Sequence, residues 1–244
     1  MKLIMENWRK YLNENNPIDK ALGKGLGVSI QMKGDRGLVV VYDAKKILDQ
    51  IEFFKKYKPD KISEAHMIID ILDFRYQSID VVAGVRFAKP RYDIGKCNNS
   101  FQITNSASKK DSKLGPTAYE AALYYLDGMA PDRAIVKPGA ERVWSIYNKR
   151  ADSHQDVEKK PFDDIESDQK RTPDDPSDDC VLHKGKDHLN YSYDIIPKPA
   201  GLKELENNHV KVLATLAQLG VKQHKFLYTL SDLFDSLFGS RYGR

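Results

Sequence analysis

Gly115-Pro116 stands between a β-prone run and a long alanine- and tyrosine-rich stretch, and it constrains the chain more than any other pair of residues. Proline is favoured at the first helical position, because the N–H it lacks would be unpaired there anyway. From Pro116 on, Ala118, Ala121, Ala122 and Tyr125 share a helical face, which predicts a helix ending at Gly128, a natural left-handed cap with Pro131 beyond it. Upstream, Asn99 to Asn105 reads as a strand ending near Ser106, and a polar loop carrying Lys109, Lys110 and Lys113 follows. A second helix is expected from near Pro138 to around Arg150, with Ala140, Val143, Trp144 and Tyr147 on one face. Two helices with one apolar side each, set after a strand, need a sheet to pack on.

The rest of the chain supplies candidates for that sheet. Strands are expected over Val28–Lys33 and Leu38–Tyr42, joined by a turn at Gly34-Asp35-Arg36-Gly37, and over Met67–Leu72, Val81–Phe87 and Leu189–Ile196. Helices are expected over Ala44–Tyr57, which carries Ile47, Ile51 and Phe54, and over Asn208–Leu219 and Lys225–Phe238, which part near Gly220. In the last, Phe226, Leu230, Leu233, Phe234 and Leu237 form a stripe that either covers the domain's own sheet or makes a dimer surface. The mixed order implies an α+β class (an α/β mixed sheet). From Ala151 to Cys180 apolar residues thin out among acids and prolines, which predicts an irregular acidic loop, 151–180. The chain then divides into an amphipathic N-terminal segment and linker (1–25), a main domain (26–200) that includes this loop, and a C-terminal helical pair (201–244).

Charge and cysteine content narrow the functional classes. A net charge of +4 with both signs evenly mixed gives no basic face for nucleic acid. Cys97 and Cys180 cannot supply a disulfide framework or a four-thiolate zinc site, so a reducing cytoplasm is the default. No apolar run approaches the ~20 residues that cross a bilayer, and Glu6, Asn7, Arg9 and Lys10 interrupt any leader-like start, so no membrane partner is expected. His183 and His188 lack companions at metal-ligand spacing, and Asp163 to Asp179 lacks the glycine and alternating ligands of a calcium loop, so no metal is expected.

The loop before Gly115 aims backbone N–H groups and the positive end of a helix dipole at one point, and its lysines add mobile charge. That chemistry suits a pyrophosphate. Strand, loop, helix, and then a helix with Ala140, Tyr147 and Arg150 resemble the core of the GNAT superfamily of acyl-CoA-dependent N-acetyltransferases. The resemblance implies a GNAT-like central sheet flanked by helices, and acetyl-CoA as acyl donor to an amine. Its Gln/Arg-x-x-Gly-x-Gly/Ala turn falls on Lys110 to Gly115, with Lys110 in place of Gln or Arg and Lys113 in place of the first glycine. Lys110, Ser112, Lys113, Leu114, Gly115 and Thr117 are thereby implied to bind coenzyme A. The family's helical tyrosine, which protonates the departing thiolate, corresponds to Tyr147; core packing on the apolar stripe is the competing reading of the same residue. Glu64, His66, Asp70, Asp73 and Asp80 are open candidates for a general base.

Residues 101–150 are also similar to acetyltransferase-like proteins of tailed phages, which share a Gly-Pro turn, a Pro-Asp-Arg and an Ala-x-x-Val-Trp helix. Met1 to Glu14, with Ile4, Trp8 and Tyr11 on one face and Leu12-Asn13-Glu14 at its end, resembles a capsid-targeting peptide of T-even-like phages, clipped after the glutamate. An N-terminal helix docked on the domain is the alternative. These likenesses imply a protein of the infected host's cytoplasm that is packaged in the virion if the tag is real, with phage head or tail proteins as further partners. The rival to an enzyme is a non-catalytic head, tail or host-binding protein on a degenerate GNAT fold. An injected ADP-ribosyltransferase would need an Arg, a strand-borne Ser-x-Ser and a Glu, and ranks last because Ser106-Ala107-Ser108 is expected in a loop.

Overall fold

The computed structural model describes residues 18, 21–57, 79–89, 100–109, 112–132, 136–153, 156–161, 186–196 and 198–238. The N-terminal segment with its Leu12-Asn13-Glu14, the Met67–Leu72 strand, Glu64, His66, Asp70, Asp73, Lys110, Cys97, Cys180, His183 and the run 163–179 lie outside the described residues.

β1 (Leu26–Lys33) and β2 (Arg36–Asp43) form a hairpin in which Lys33 pairs with Arg36. Its loop is therefore Gly34-Asp35 alone. Gly34 takes φ +58, the left-handed value that a two-residue loop matched to strand twist demands at its first position. The expected four-residue turn shrinks because Gly37 belongs to β2, where a Cβ would meet the Phe87 ring at 2.3 Å. α1 (Ala44–Tyr57) starts where Asp43 Oδ1 accepts the Lys46 N–H at 2.8 Å, a side-chain cap on orphan donors. β3 (Val81–Ala88) and β4 (Phe101–Ser108) follow, and then α2 (Gly115–Tyr125), the short β5 (Met129–Ala130) and α3 (Pro138–Ser153). β6 (Val157–Pro161), a 3-10 turn at Asp187–Leu189, β7 (Tyr191–Ile195), α4 (Ala200–Gln218) and α5 (Gln223–Phe238) complete the described chain.

The described strands form one seven-stranded sheet in the order β1-β2-β3-β4-β5-β7-β6. Its neighbours are antiparallel except β4 and β5, which are parallel. Alternation along β2 sends Val39 and Val41 to one face and Leu38, Val40 and Tyr42 to the other, and both faces are covered. On the first lie α2, α3 and the start of α4, through Ala118, Trp144, Tyr147, Leu202 and Leu205. On the second lie α1, the rest of α4 and α5, through Ile47, Ile51, Val212, Leu216, Phe226 and Phe234. α4 runs along the β1 edge, where Asn208 Nδ2 donates to the Leu26 carbonyl at 2.8 Å. An uncovered edge would invite strand pairing with another chain. The C-terminal stripe covers the chain's own sheet, and Arg86 of β3 holds α5 by donating to both oxygens of Asp235 at 2.6 Å.

Three expectations change. β4 runs through Ser108, so Ser106-Ala107-Ser108 lies in a strand and not in a loop. The stretch 151–180 is not irregular throughout, because Ala151 to Ser153 finish α3 and Val157–Pro161 is β6. β6 is an outer strand in which Val157 is buried and the Lys159 ammonium sits 5.0 Å from the Tyr191 ring centroid, so it shows almost no hydropathy pattern. α4 begins at Ala200, eight residues before the expected Asn208, because Pro199 caps it in an extended conformation and Gly201 is buried within its first turn.

Candidate functional site

β4 and β5 pair only at Phe101 with Met129 and Gln102 with Ala130. β5 then stops at Pro131, which has no N–H to offer a ladder, whereas β4 continues to Ser108. Six residues of β4 therefore have no β5 partner. Within that stretch the pairing with β3 jumps from Ile103 to Asn105, leaving Thr104 as an extra residue that bends the strand.

α2 begins beside the open end of β4. Gly115 sits so close that a Cβ would meet Ser108 Oγ at 3.3 Å. The connecting turn is closed by the Ser112 N–H on the Lys109 carbonyl at 3.2 Å and by the Leu114 N–H on Ser112 Oγ at 3.3 Å. No side chain caps the helix and no acidic residue occupies its first turn. The start of α2 therefore keeps its positive end. Lys113 adopts φ +57, one of two described non-glycine residues with positive φ. A side chain in that region costs about 1–2 kcal/mol relative to right-handed backbone. The position where the likeness called for glycine is thus one whose backbone favours glycine. Lys113 is exposed, while Lys109 reaches Asp80 at 2.5 Å.

Of the residues implied to bind coenzyme A, Ser112, Lys113, Leu114 and Gly115 come together here. Leu114 and Thr117 turn their side chains inward and are buried, so only their main chains face the turn. Asp80, the described general-base candidate, is engaged with Lys109 at the same end of the sheet.

Tyr147 lies apart from the turn, inside an aromatic cluster on the α2 and α3 face. Its ring centroid is 6.0 Å from that of Trp144 and 6.3 Å from that of Tyr193, and the Arg150 guanidinium sits 5.5 Å away. The hydroxyl is buried without a hydrogen-bond partner, and burial raises its pKa well above the ordinary phenol value.

Two polar features went unseen in the sequence. Glu120 of α2 is fully buried, where it accepts from Arg150 and from the Ile18 N–H at 2.9 Å, while Arg150 also holds Asp156. Burial pushes the Glu120 carboxyl up to about 7, against the pull of Arg150. The second is Tyr119, whose hydroxyl lies 2.7 Å from Ser106 Oγ of β4. The alanine face of α2 pointed to one buried side, yet every residue from Thr117 to Leu123 is buried. A helix covered nearly all round was the missed signal, legible in its few charged residues.

Among the described residues no group of His, Cys, Asp or Glu side chains is placed to hold a metal ion, and no helix is long and apolar enough to cross a membrane. Comparison with family models, with curated proteins and with solved structures gave no match.

Proposed function

We propose that the chain is a phage-derived N-acetyltransferase-like protein of the GNAT type, which takes an acyl group from a coenzyme A thioester to an amine. The observation that carries this reading is the left-handed backbone of Lys113 at the place of a motif glycine, with Gly115 set against Ser108 at the uncapped start of α2. The short pairing of β4 with β5, which ends at Gln102 while β4 runs on to Ser108 beside the start of α2, is consistent with it. The main-chain N–H groups of Lys113 and Gly115 and the Lys113 ammonium would hold the pyrophosphate. The thioester supplies an acyl carbon already activated toward amines, and a backbone N–H of the neighbouring strand would polarise its carbonyl. Packaging in the virion belongs to the same proposal and rests on residues 1–14; a virion-derived chain whose mass still includes Met1 would remove it.

Isothermal titration of the full chain with acetyl-CoA tests the reading. It predicts saturable one-to-one binding, weakened about tenfold or more by Lys113→Glu and less by Lys113→Gly, which removes the ammonium but keeps the backbone N–H groups. No heat and no thermal shift at millimolar acetyl-CoA would remove it.

The second reading is a non-catalytic phage structural protein on a degenerate GNAT fold. Tyr147 favours it, because its hydroxyl is shut inside the aromatic cluster. An absence of coenzyme A binding together with copurification of the chain with heads or tails is the result it expects.

A further inference from the structure

β6 is the outer strand of the sheet and pairs only with β7 among the described residues. The Ile196 N–H donates to the Asp156 carbonyl at 3.1 Å, and hydrogen-bonded pairs alternate along an antiparallel ladder. Glu158 and Lys160 therefore turn their main-chain groups toward Asp194 and Ser192 of β7. Val157 and Lys159 turn theirs outward, as Pro161 does its carbonyl. Such an edge is a template for another strand. The side chains alternate as well. Val157 is buried, and Lys159 is drawn inward by Asp152 at 2.5 Å and by the Tyr191 ring, whereas Glu158 and Lys160 are exposed on the opposite face.

We propose that β6 pairs antiparallel with β6 of a second copy of this chain, about a two-fold axis at Lys159, so that two sheets join into one. A two-fold contact is self-complementary, and every pairing follows from where the axis stands. With the axis at Lys159, each Lys159 N–H donates to the Lys159 carbonyl of the second copy. Each Val157 N–H donates to the Pro161 carbonyl of the second copy. Pro161 has no N–H to return, so the ladder stops there. Glu158 then lies opposite Lys160 of the second copy, and Lys160 opposite its Glu158. These are the pairs without main-chain hydrogen bonds, in which facing side chains come closest. The Lys159 ammoniums, also opposite one another, are each held by Asp152 of their own copy. An axis at Glu158 or Lys160 would set like charges face to face, and an axis at Val157 would set Glu158 against Asp156. Charge and main-chain donors thus select one register.

Sedimentation equilibrium of the full chain over a concentration series tests the pairing. The wild-type chain should show a reversible monomer–dimer equilibrium, with dimer present by about 100 μM, as a small edge contact allows. Glu158→Lys and Lys160→Glu each turn both attractive pairs of the dimer into repulsive ones and should weaken it about tenfold or more. The double variant carrying both changes restores opposite charges and should return dimerisation to within about threefold of wild type. Both positions are exposed, so the circular dichroism spectrum and Tm should stay those of the wild-type chain. A wild-type chain that stays monomeric to about 1 mM overturns the inference. So do single variants that dimerise like wild type, or a double variant that dimerises no better than either single one.

Discussion

Glu120 decides the seam between α2 and α3. Taken out of water, it is held by Arg150 and the Ile18 N–H, and Arg150 in turn holds Asp156. Desolvation consumes most of what such an ion pair gains, but removing one partner strands the other charge. Arg150→Met should therefore cost about 3–5 kcal/mol in urea unfolding, and Glu120→Leu in the same chain should recover more than half of it. Simply additive losses would contradict the coupling. Lys113 is the opposite case, a surface residue whose backbone is the issue. Lys113→Gly should leave stability unchanged or raise it by about 1 kcal/mol, whereas Lys113→Val should lower it. A loss with glycine would show that φ there is not strained. Lys113 could be singled out from motif spacing alone. Glu120 could not, because a glutamate at the sixth position of a helix reads as solvent-facing until α3 and Ile18 are placed over it.

α4 is tied to β2 by a side-chain hydrogen bond. His209 Nδ1 lies 2.8 Å from the Tyr42 hydroxyl, and the His209 ring stacks on Phe226 of α5 with centroids 6.3 Å apart. Burial pushes the imidazole down to about 4 from its ordinary 6.5. The unfolded chain takes up this proton near 6.5 and the folded chain only near 4, so the clasp is at full strength above about 6.5 and weakens as pH falls toward 4. Chemical denaturation across that range should show a shallower loss of stability for His209→Gln than for the wild-type chain; equal slopes would contradict the burial of a neutral ring. Elements with an internal pattern could be read from the sequence: α1 has the expected bounds Ala44–Tyr57, and the β1–β2 hairpin closes on Gly34. Elements defined by a neighbour could not. β6 exists because β7 pairs with it, and the first turns of α4 are helical because Leu202 and Leu205 find the core, although Pro199 and Gly201 read as breakers.

At the scale of the whole molecule, the described strands form a mixed sheet covered on both faces, in which β4 pairs with β5 only at Phe101 and Gln102 and runs on to Ser108 beside the start of α2. The α+β class and the strand–turn–helix order were legible, since Gly115-Pro116 marks the start of α2 by local chemistry. The strand order was not, because it depends on pairings between residues far apart in sequence, such as Met129 with Tyr193. Nor was the separation of Tyr147 from the turn, which depends on how α3 lies against β7 through Trp144 and Tyr193. The central claim is that the turn before α2 holds the pyrophosphate of coenzyme A. Crystals of the full chain soaked with coenzyme A test it most directly. The account predicts diphosphate density against the N–H groups of Lys113 and Gly115, with the pantetheine arm running along β4. Diphosphate density elsewhere on the molecule, or none at saturating ligand, would contradict it.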